Sequence, residues 1–448
     1  MMSVLQATAW YPPHSVGGTE VYLSTLVREL LQCDVTSTII TPCERQESAD
    51  YQFEGTTVKT YPVNTTATHA ELRGSVPHKG FSRFSEILAE VRPDVYHQHS
   101  WSRGLGLSHL QAARALGLRT ILTVHVPNVV CLRGTMMRYG RDACDGWVEP
   151  HRCAACWSHS RGAPRPLARV LAGTSSRLGS VVERILPTGR VRTAFSAYEI
   201  ASQRRLELAT IAAHADRIVV VCQWLYDAFA LNGVATSKLV LNRQGVDAEF
   251  AAAVDACAQR RDAGSKLFRL VYVGRWDNVK GIDVLVRAVR ALSRDVPLEL
   301  VIHGVGDGAK EIAYKANLRR LAACDPRIKF AAPVARSALP ATLAQASAIA
   351  VPSRWLETGP LVVLEAKAAG LPVIGSKIGG IAELVREPDD GLLVPPNNVR
   401  AWRDAILRLM RCPSLSACRT GFNTRTMRDV AADMSAIYRE VCEPMRVA

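Results

Sequence analysis

The sequence predicts an α/β protein built from two doubly wound, parallel-sheet domains. Three observations predict it. Short apolar runs alternate with amphipathic helical patterns, which is the rhythm of parallel strands joined by crossover helices. The alternation runs twice, once before residue 243 and again from residue 266. The chain has 448 residues, of which 48% are hydrophobic and 21% charged, and that is material enough for two buried cores.

In the first series, "SVLQATAW" (3–10), "VTSTII" (35–40), "DVYHQH" (94–99), "RTILTVH" (119–125) and "DRIVVVC" (216–222) read as buried strands. Amphipathic stretches at 20–32 and 106–117 separate them. Residues 244–265 carry mixed charge and read as a connector. The second series has strands at 267–274, 298–304, 328–333, 348–353, 371–376 and 391–396, with helices such as 281–292 and 337–346 between them. The expected domains are therefore 1–243 and 266–424, followed by a C-terminal helix, 425–448, that can cross back to the first domain. An insert at about 130–206 interrupts the first series. Its first part is rich in cysteine. Its second part, 150–206, mixes arginine with Leu, Val and Ile, as basic amphipathic helices do. Such helices fit either a solvated insert or contact with an anionic membrane or an acceptor.

The formal charge of +14 favours anionic partners. No recognition motif or aromatic-basic stripe points to nucleic acid, so none is expected as a partner. No apolar run of about 18 residues predicts a transmembrane helix. The N-terminus reads as a strand and its loop and not as a signal peptide. A cytoplasmic protein is expected, with the inner membrane face as a peripheral contact. In that compartment the 12 cysteines argue for thiols or a metal over a disulfide framework.

The stretch "ETGPLVVLEAKAAG" (357–370) carries the chemistry. Pro360 suits the first turn of a helix, and Gly370 suits its end. Glu357 then precedes the helix and Glu365 lies in its second turn. Between them is a helix N-terminus, whose free N–H groups, those of Gly359 and Leu361 included, attract phosphate. Carboxylates on both sides of a phosphate site suit hydroxyls on both sides of a diphosphate, the form of a nucleoside-diphosphate sugar.

These residues resemble the E-x7-E motif of the retaining family-4 glycosyltransferases, and the resemblance covers nearly the whole chain outside the insert. It implies a GT-B fold, with two Rossmann-like domains facing a central cleft. It also implies transfer of a sugar from a UDP-, GDP- or ADP-linked donor to a glycan or glycolipid acceptor, as in polysaccharide assembly. In that resemblance Glu357 contacts the donor sugar and Glu365 the ribose. Arg275 and Lys280, in "YVGRWDNVKG" (272–281), bind the diphosphate and stabilise its departing charge. Gly17 and Gly18, in "PPHSVGGTEVYL" (12–23), form the glycine loop of the first domain, with Glu20 at the helix start. His125 ends a strand beside the sugar ring. His97 and His99 also end a strand, and that position, not the resemblance, suggests the acceptor side. Gly379 and Gly380 either shape the nucleotide pocket or serve tight packing. No metal or other cofactor is expected in catalysis, because these cations and the helix N-terminus would supply the electrostatic stabilisation. Two rival readings are a GT-B sugar-nucleotide epimerase and a non-catalytic sugar-nucleotide-binding protein.

Cys131, Cys144, Cys153 and Cys156 stand apart from the resemblance. Their spacing, ending C-x2-C, is that of a small tetrahedral zinc site. Such a site would be structural, since four thiolates leave no open position for chemistry.

Overall fold

The computed structural model describes residues 1–15, 17–44, 49–63, 68, 71, 76–101, 104–185, 195–258, 267–323, 325–412 and 425–443, with backbone alone for 176–185 and 258. Parts of the expected connector, basic insert and C-terminal helix (259–265, 186–194 and 444–448) and Cys324 lie outside the described residues. The chain divides into two compact units, Met1–Arg243 with Arg428–Ala448, and Gln244–Met427.

The first unit is organised on a sheet of strand order β10-β9-β6-β5-β1-β2-β4-β3. Its strands are β1 (Met2–Ala7), β2 (Val35–Cys43), β3 (Tyr51–Phe53), β4 (Thr56–Pro62), β5 (Val95–Gln98), β6 (Arg119–Val124), β9 (Arg217–Val220) and β10 (Leu239–Leu241). All neighbours pair in parallel except β3 and β4. From β1 the chain winds outward through β2 and β4, then returns to β5 and winds the other way. The strand order therefore reverses between β1 and β5. The carboxyl ends of two such strands diverge into a crevice, where ligands of open α/β sheets bind.

The β3–β4 hairpin is absent from the sequence expectation. Its turn is Glu54-Gly55, both at positive φ, and its strands carry Gln, Lys and Thr. Neither the turn dipeptide nor the alternation matches the strongest hairpin signals.

The second unit has an all-parallel sheet of order β13-β12-β11-β14-β15-β16. These strands are β11 (Phe268–Arg275), β12 (Leu298–Val305), β13 (Ile328–Ala331), β14 (Ala348–Val351), β15 (Val373–Ser376) and β16 (Gly391–Val394). Side chains alternate across β11. Leu270 and Tyr272 join one core with Leu285, Leu300 and Trp402, while Val271 joins the other with Ile349, Val363 and Val373. A strand buried on both faces has no polar side to show, which is why β14 (Ala348–Val351) reads as an unbroken apolar run. Here the order reverses between β11 and β14.

Within the insert, helices Pro150–Ser160, Arg165–Ile185 and Ala197–His214 share a small cluster. Ala154, Ala155, Trp157, Ala172, Ala197 and Ala201 form it. Alanines let helix backbones approach closely around the single large Trp157. Burial of Ala168, Ala172 and Ser175 leaves Leu167 and Val170 exposed. No described helix is long and apolar enough to cross a membrane.

Candidate active site

In the second unit, the loops after β11 and β14 lie side by side because those strands are neighbours. Arg275 closes β11 and is exposed. Asp277 then caps a short turn, Asn278–Lys280, by accepting from the Val279 N–H at 3.0 Å. Gly281 follows at φ +68°, and a Cβ there would lie 2.0 Å from the Pro352 carbonyl oxygen. Only glycine lets the two loops meet so closely. Arg354 ties them further. Its N–H donates to the Val279 carbonyl at 2.7 Å, and its guanidinium donates to Asn278 Oδ1 at 2.7 Å and Asp283 Oδ2 at 2.6 Å.

This lacing brings Lys280 Nζ to 2.6 Å from Glu357 Oε1, which also accepts from Ser353 Oγ at 2.5 Å. Glu357 is 6% exposed. Burial pushes its carboxyl up, but the Lys280 charge and hydrogen bonds from Lys280, Ser353 and Trp355 together outweigh burial and hold it below the usual carboxylate range. Glu357 is therefore an anion at neutral pH. Its backbone is propped from behind, where the Gly380 N–H donates to the Glu357 carbonyl at 2.6 Å. A Cβ on Gly380 would stand 2.5 Å from the Thr358 carbonyl oxygen. The glycine pair 379–380 thus packs against the loop that carries Glu357.

The helix after that loop spans Leu361–Ala368, with Pro360 as its N-cap, one position earlier than the first-turn place expected for it. Gly359 packs beside Gln244, whose Oε1 would be 2.4 Å from a Cβ at residue 359. Glu365, in the second turn, is buried and ion-paired with Arg336. The Arg336 guanidinium lies 4.4 Å from the Phe250 ring centroid, as expected of a flat cation on an aromatic face. Burial raises the Glu365 carboxyl more than Arg336 lowers it. Two carboxylates near one helix are thus pushed in opposite directions.

In the first unit, Gly17 is the N-cap of helix Gly18–Leu31. Glu20 folds back over it and accepts from Ser15 Oγ at 2.7 Å, so its carboxylate serves this helix end. His125 follows β6, and its ring is 4.7 Å from that of Tyr22 on the same helix. His97 and His99 do not line an acceptor surface as expected, because both are interior, 0% and 1% exposed. They carry a hydrogen-bond chain. His125 Nε2 is 3.2 Å from His99 Nδ1, and His99 Nε2 is 2.8 Å from Gln6 Oε1. The Gln6 amide donates at 3.2 Å to Tyr438 Oη, which lies 2.7 Å from His97 Nδ1. With the amide oriented this way, protons can be assigned by elimination. His99 donates from Nε2, so His125 donates from Nε2 to His99 Nδ1 and keeps Nδ1 as an acceptor.

Burial lowers His125 to about 3, and burial with neighbouring imidazoles lowers His97 and His99 well below their usual value. The unfolded chain takes up these protons near pH 6.5 and the folded chain does not. Stability is then complete above about pH 6.5 and falls as the pH drops towards the folded values, by about 1.4 kcal/mol per unit for each imidazole. Thermal melting at pH 7.5 and pH 5 checks this, and an unchanged midpoint would contradict it.

The four cysteines of the insert are not disulfide-bonded and line one small cavity in the first unit. Among the described residues, no three or more His, Cys, Asp or Glu side chains stand ready-arranged to hold a metal ion.

Residues 17–245 match the model of the glycosyl transferase 4-like domain, and residues 268–412 match glycosyl transferases group 1. The chain belongs to the family-4 glycosyltransferases. It is 33% identical over 197 residues to the D-inositol 3-phosphate glycosyltransferase of Kribbella flavida, covering 42% of this chain and 46% of that protein. Its matches to the curated relatives span about a third to a half of their length. The sucrose-phosphate synthase of Thermosynechococcus elongatus aligns over 98% of this chain and 99% of its own, with TM-score 0.68 and 18% identity. Alr3699/HepE of Anabaena, solved with UDP and glucose, aligns over 99% and 97%, with TM-score 0.60 and 14% identity. These likenesses show the fold, which is GT-B.

Within this family-4 glycosyltransferase the structure joins Lys280 to Glu357 and adds partners that sequence reasoning missed. Arg336 follows a predicted strand end in "FAAPVARSALP", and that position was its available signal. Ser353, Arg354 and Gln6 gave none, because their roles depend on contacts far along the chain.

Proposed function

We propose that the protein transfers a sugar from a nucleoside-diphosphate donor to a glycan or glycolipid acceptor with retention of anomeric configuration. The observation that carries this reading is the Lys280–Glu357 pair at 2.6 Å, set immediately before the helix whose second turn holds Glu365. Anionic Glu357 accepts from the sugar hydroxyls and Glu365 from the ribose hydroxyls. The diphosphate competes with Glu357 for Lys280 and takes Arg275 as a second cation. As the bond from the anomeric carbon to the phosphate oxygen lengthens, negative charge grows on that oxygen. Lys280, Arg275 and the helix N-terminus then bind it more tightly than they bind the ground state, which lowers the barrier. The departing phosphate takes the proton of the acceptor hydroxyl as that hydroxyl attacks the same face of the sugar. In the first unit, Gly17 and Gly18 are proposed as phosphate contacts and neutral His125 as a sugar contact that exchanges no proton. Glu20, held by Ser15 at the helix start, would border that glycine loop. No metal is needed for these steps, and the cysteines take no part in them.

Incubation with UDP-, GDP- and ADP-sugars tests the reading. Release of the nucleoside diphosphate, dependent on an acceptor, is expected with one base class. UDP sugars come first, since a protein of the same fold has been solved with UDP and glucose. Binding without release would instead favour a non-catalytic protein.

Glu365→Gln is expected to weaken binding of the free nucleoside diphosphate by about tenfold, the worth of a charge-assisted hydrogen bond. Titration calorimetry measures it, and an unchanged affinity would move the ribose away from Glu365.

A further inference from the structure

We infer that Cys131, Cys144, Cys153 and Cys156 bind one zinc ion as four thiolates, and that this metal fixes the fold of residues 131–160. The sequence pattern is joined here by three structural observations. The first is convergence. All four cysteines line a single cavity of about 30 Å³, and no carboxylate or histidine lines it with them. A purely thiol ligand set selects zinc over the hard cations that prefer oxygen.

The second is charge. Zinc with four thiolates is a dianion, and Arg133, Arg138 and Arg152 line the same cavity. Two N–H groups already point at sulfur. The Tyr139 N–H donates to Cys156 Sγ at 3.2 Å and Arg152 Nη2 to Cys144 Sγ at 3.2 Å. Donors of this kind stabilise sulfur that carries negative charge.

The third is architecture. Cys131 opens a turn closed by the Gly134 N–H on its carbonyl at 2.9 Å. A hairpin follows whose strands, β7 (Met137–Arg138) and β8 (Asp142–Ala143), are two residues each. Cys144 ends it. Cys153 and Cys156 then share one face of helix Pro150–Ser160, which Glu149 caps. Met136 and Tyr139 hold left-handed backbone at φ +52° and +53°, a costly conformation for such side chains. So short a hairpin buries little and needs another source of order.

As donors the thiols reach only long contacts, 3.7 Å to Asp145 Oδ1 for Cys144 and 4.0 Å to carbonyls for Cys153 and Cys156. Coordination requires them to turn into the cavity, to about 2.3 Å from one centre. Each thiol that enters gives its proton to solvent, so four protons leave as one Zn²⁺ binds.

The test uses the full chain purified without chelator. Elemental analysis is expected to give about one zinc per chain. Loading the metal-free protein with Co²⁺ should give the intense visible bands of a tetrahedral thiolate site. Cys156→Ser should lose most of the zinc, whereas Cys33→Ser, outside the cluster, should keep it. If Cys156→Ser fails to fold, zinc content and Co²⁺ spectra of the unaltered chain decide alone. Less than about a tenth of an equivalent of zinc with no thiolate cobalt spectrum, or a mass showing two disulfides among these residues, would overturn the inference.

Discussion

Replacing Lys280 by alanine is expected to lower turnover by about 10²–10³-fold, the usual loss when a preorganised donor to developing charge is removed. The donor Michaelis constant should change far less. Lys280 has a second role that complicates the experiment. Glu357 is buried, and its cation is Lys280. Removing one partner of such a pair leaves an uncompensated charge and costs about 3–5 kcal/mol of stability. Two further variants separate the effects. In Lys280→Ala with Glu357→Gln, the stranded charge is gone, so melting should recover while turnover stays low. Arg275 is exposed, so Arg275→Ala should slow turnover with little change in melting. Steady-state kinetics beside thermal melting reads both quantities. A Lys280→Ala enzyme with unaltered turnover and a raised Michaelis constant would mean that the lysine binds ground and transition states alike.

Gly380→Ala is expected to be strongly damaging to turnover, although it removes no functional group. The added methyl would lie 2.5 Å from the Thr358 carbonyl oxygen and 2.7 Å from that of Glu357. Both are backbone atoms, which cannot swing aside as a side chain can. Something must move, and the nearest movable element is the loop that places Glu357. A displacement of about 1 Å at a reacting group costs on the order of 100-fold in rate, and overpacking costs about 1–3 kcal/mol. Gly173→Ala is the control. It lies in helix Arg165–Ile185 with nothing within 4 Å of its would-be Cβ, so alanine there should stabilise by up to about 1 kcal/mol. Turnover of Gly380→Ala equal to that of Gly173→Ala would show that the glycine pair does not set the Glu357 loop.

Much of this was legible in the chain itself. Strands β14 and β15 are buried along their whole length, so their apolar runs announce themselves without neighbours. Pro360 and Gly370 bracket a helix by backbone chemistry alone, and the spacing of Glu357 and Glu365 follows from that helix. The hairpin at Glu54-Gly55 was not legible, because its half-polar strands become strands only by pairing, β4 with β2 and β3 with β4. Nor was Arg336 as the partner of Glu365, since a cation after a strand is common and its target lies in another segment.

Local sequence determined which residues are strands, where a helix begins and which side chains carry charge, because those depend on dihedral preference and on periodic burial. Tertiary structure alone decided which carboxylate meets which cation, and whether a histidine faces a ligand or the interior. His97 and His99 end a strand just as a ligand contact would, yet Gln6 and Tyr438 claim them for the core. Lys280 meets Glu357 only because β11 and β14 are neighbours where the strand order reverses. That adjacency is set by the packing of the whole sheet, and neither loop carries it in its own residues.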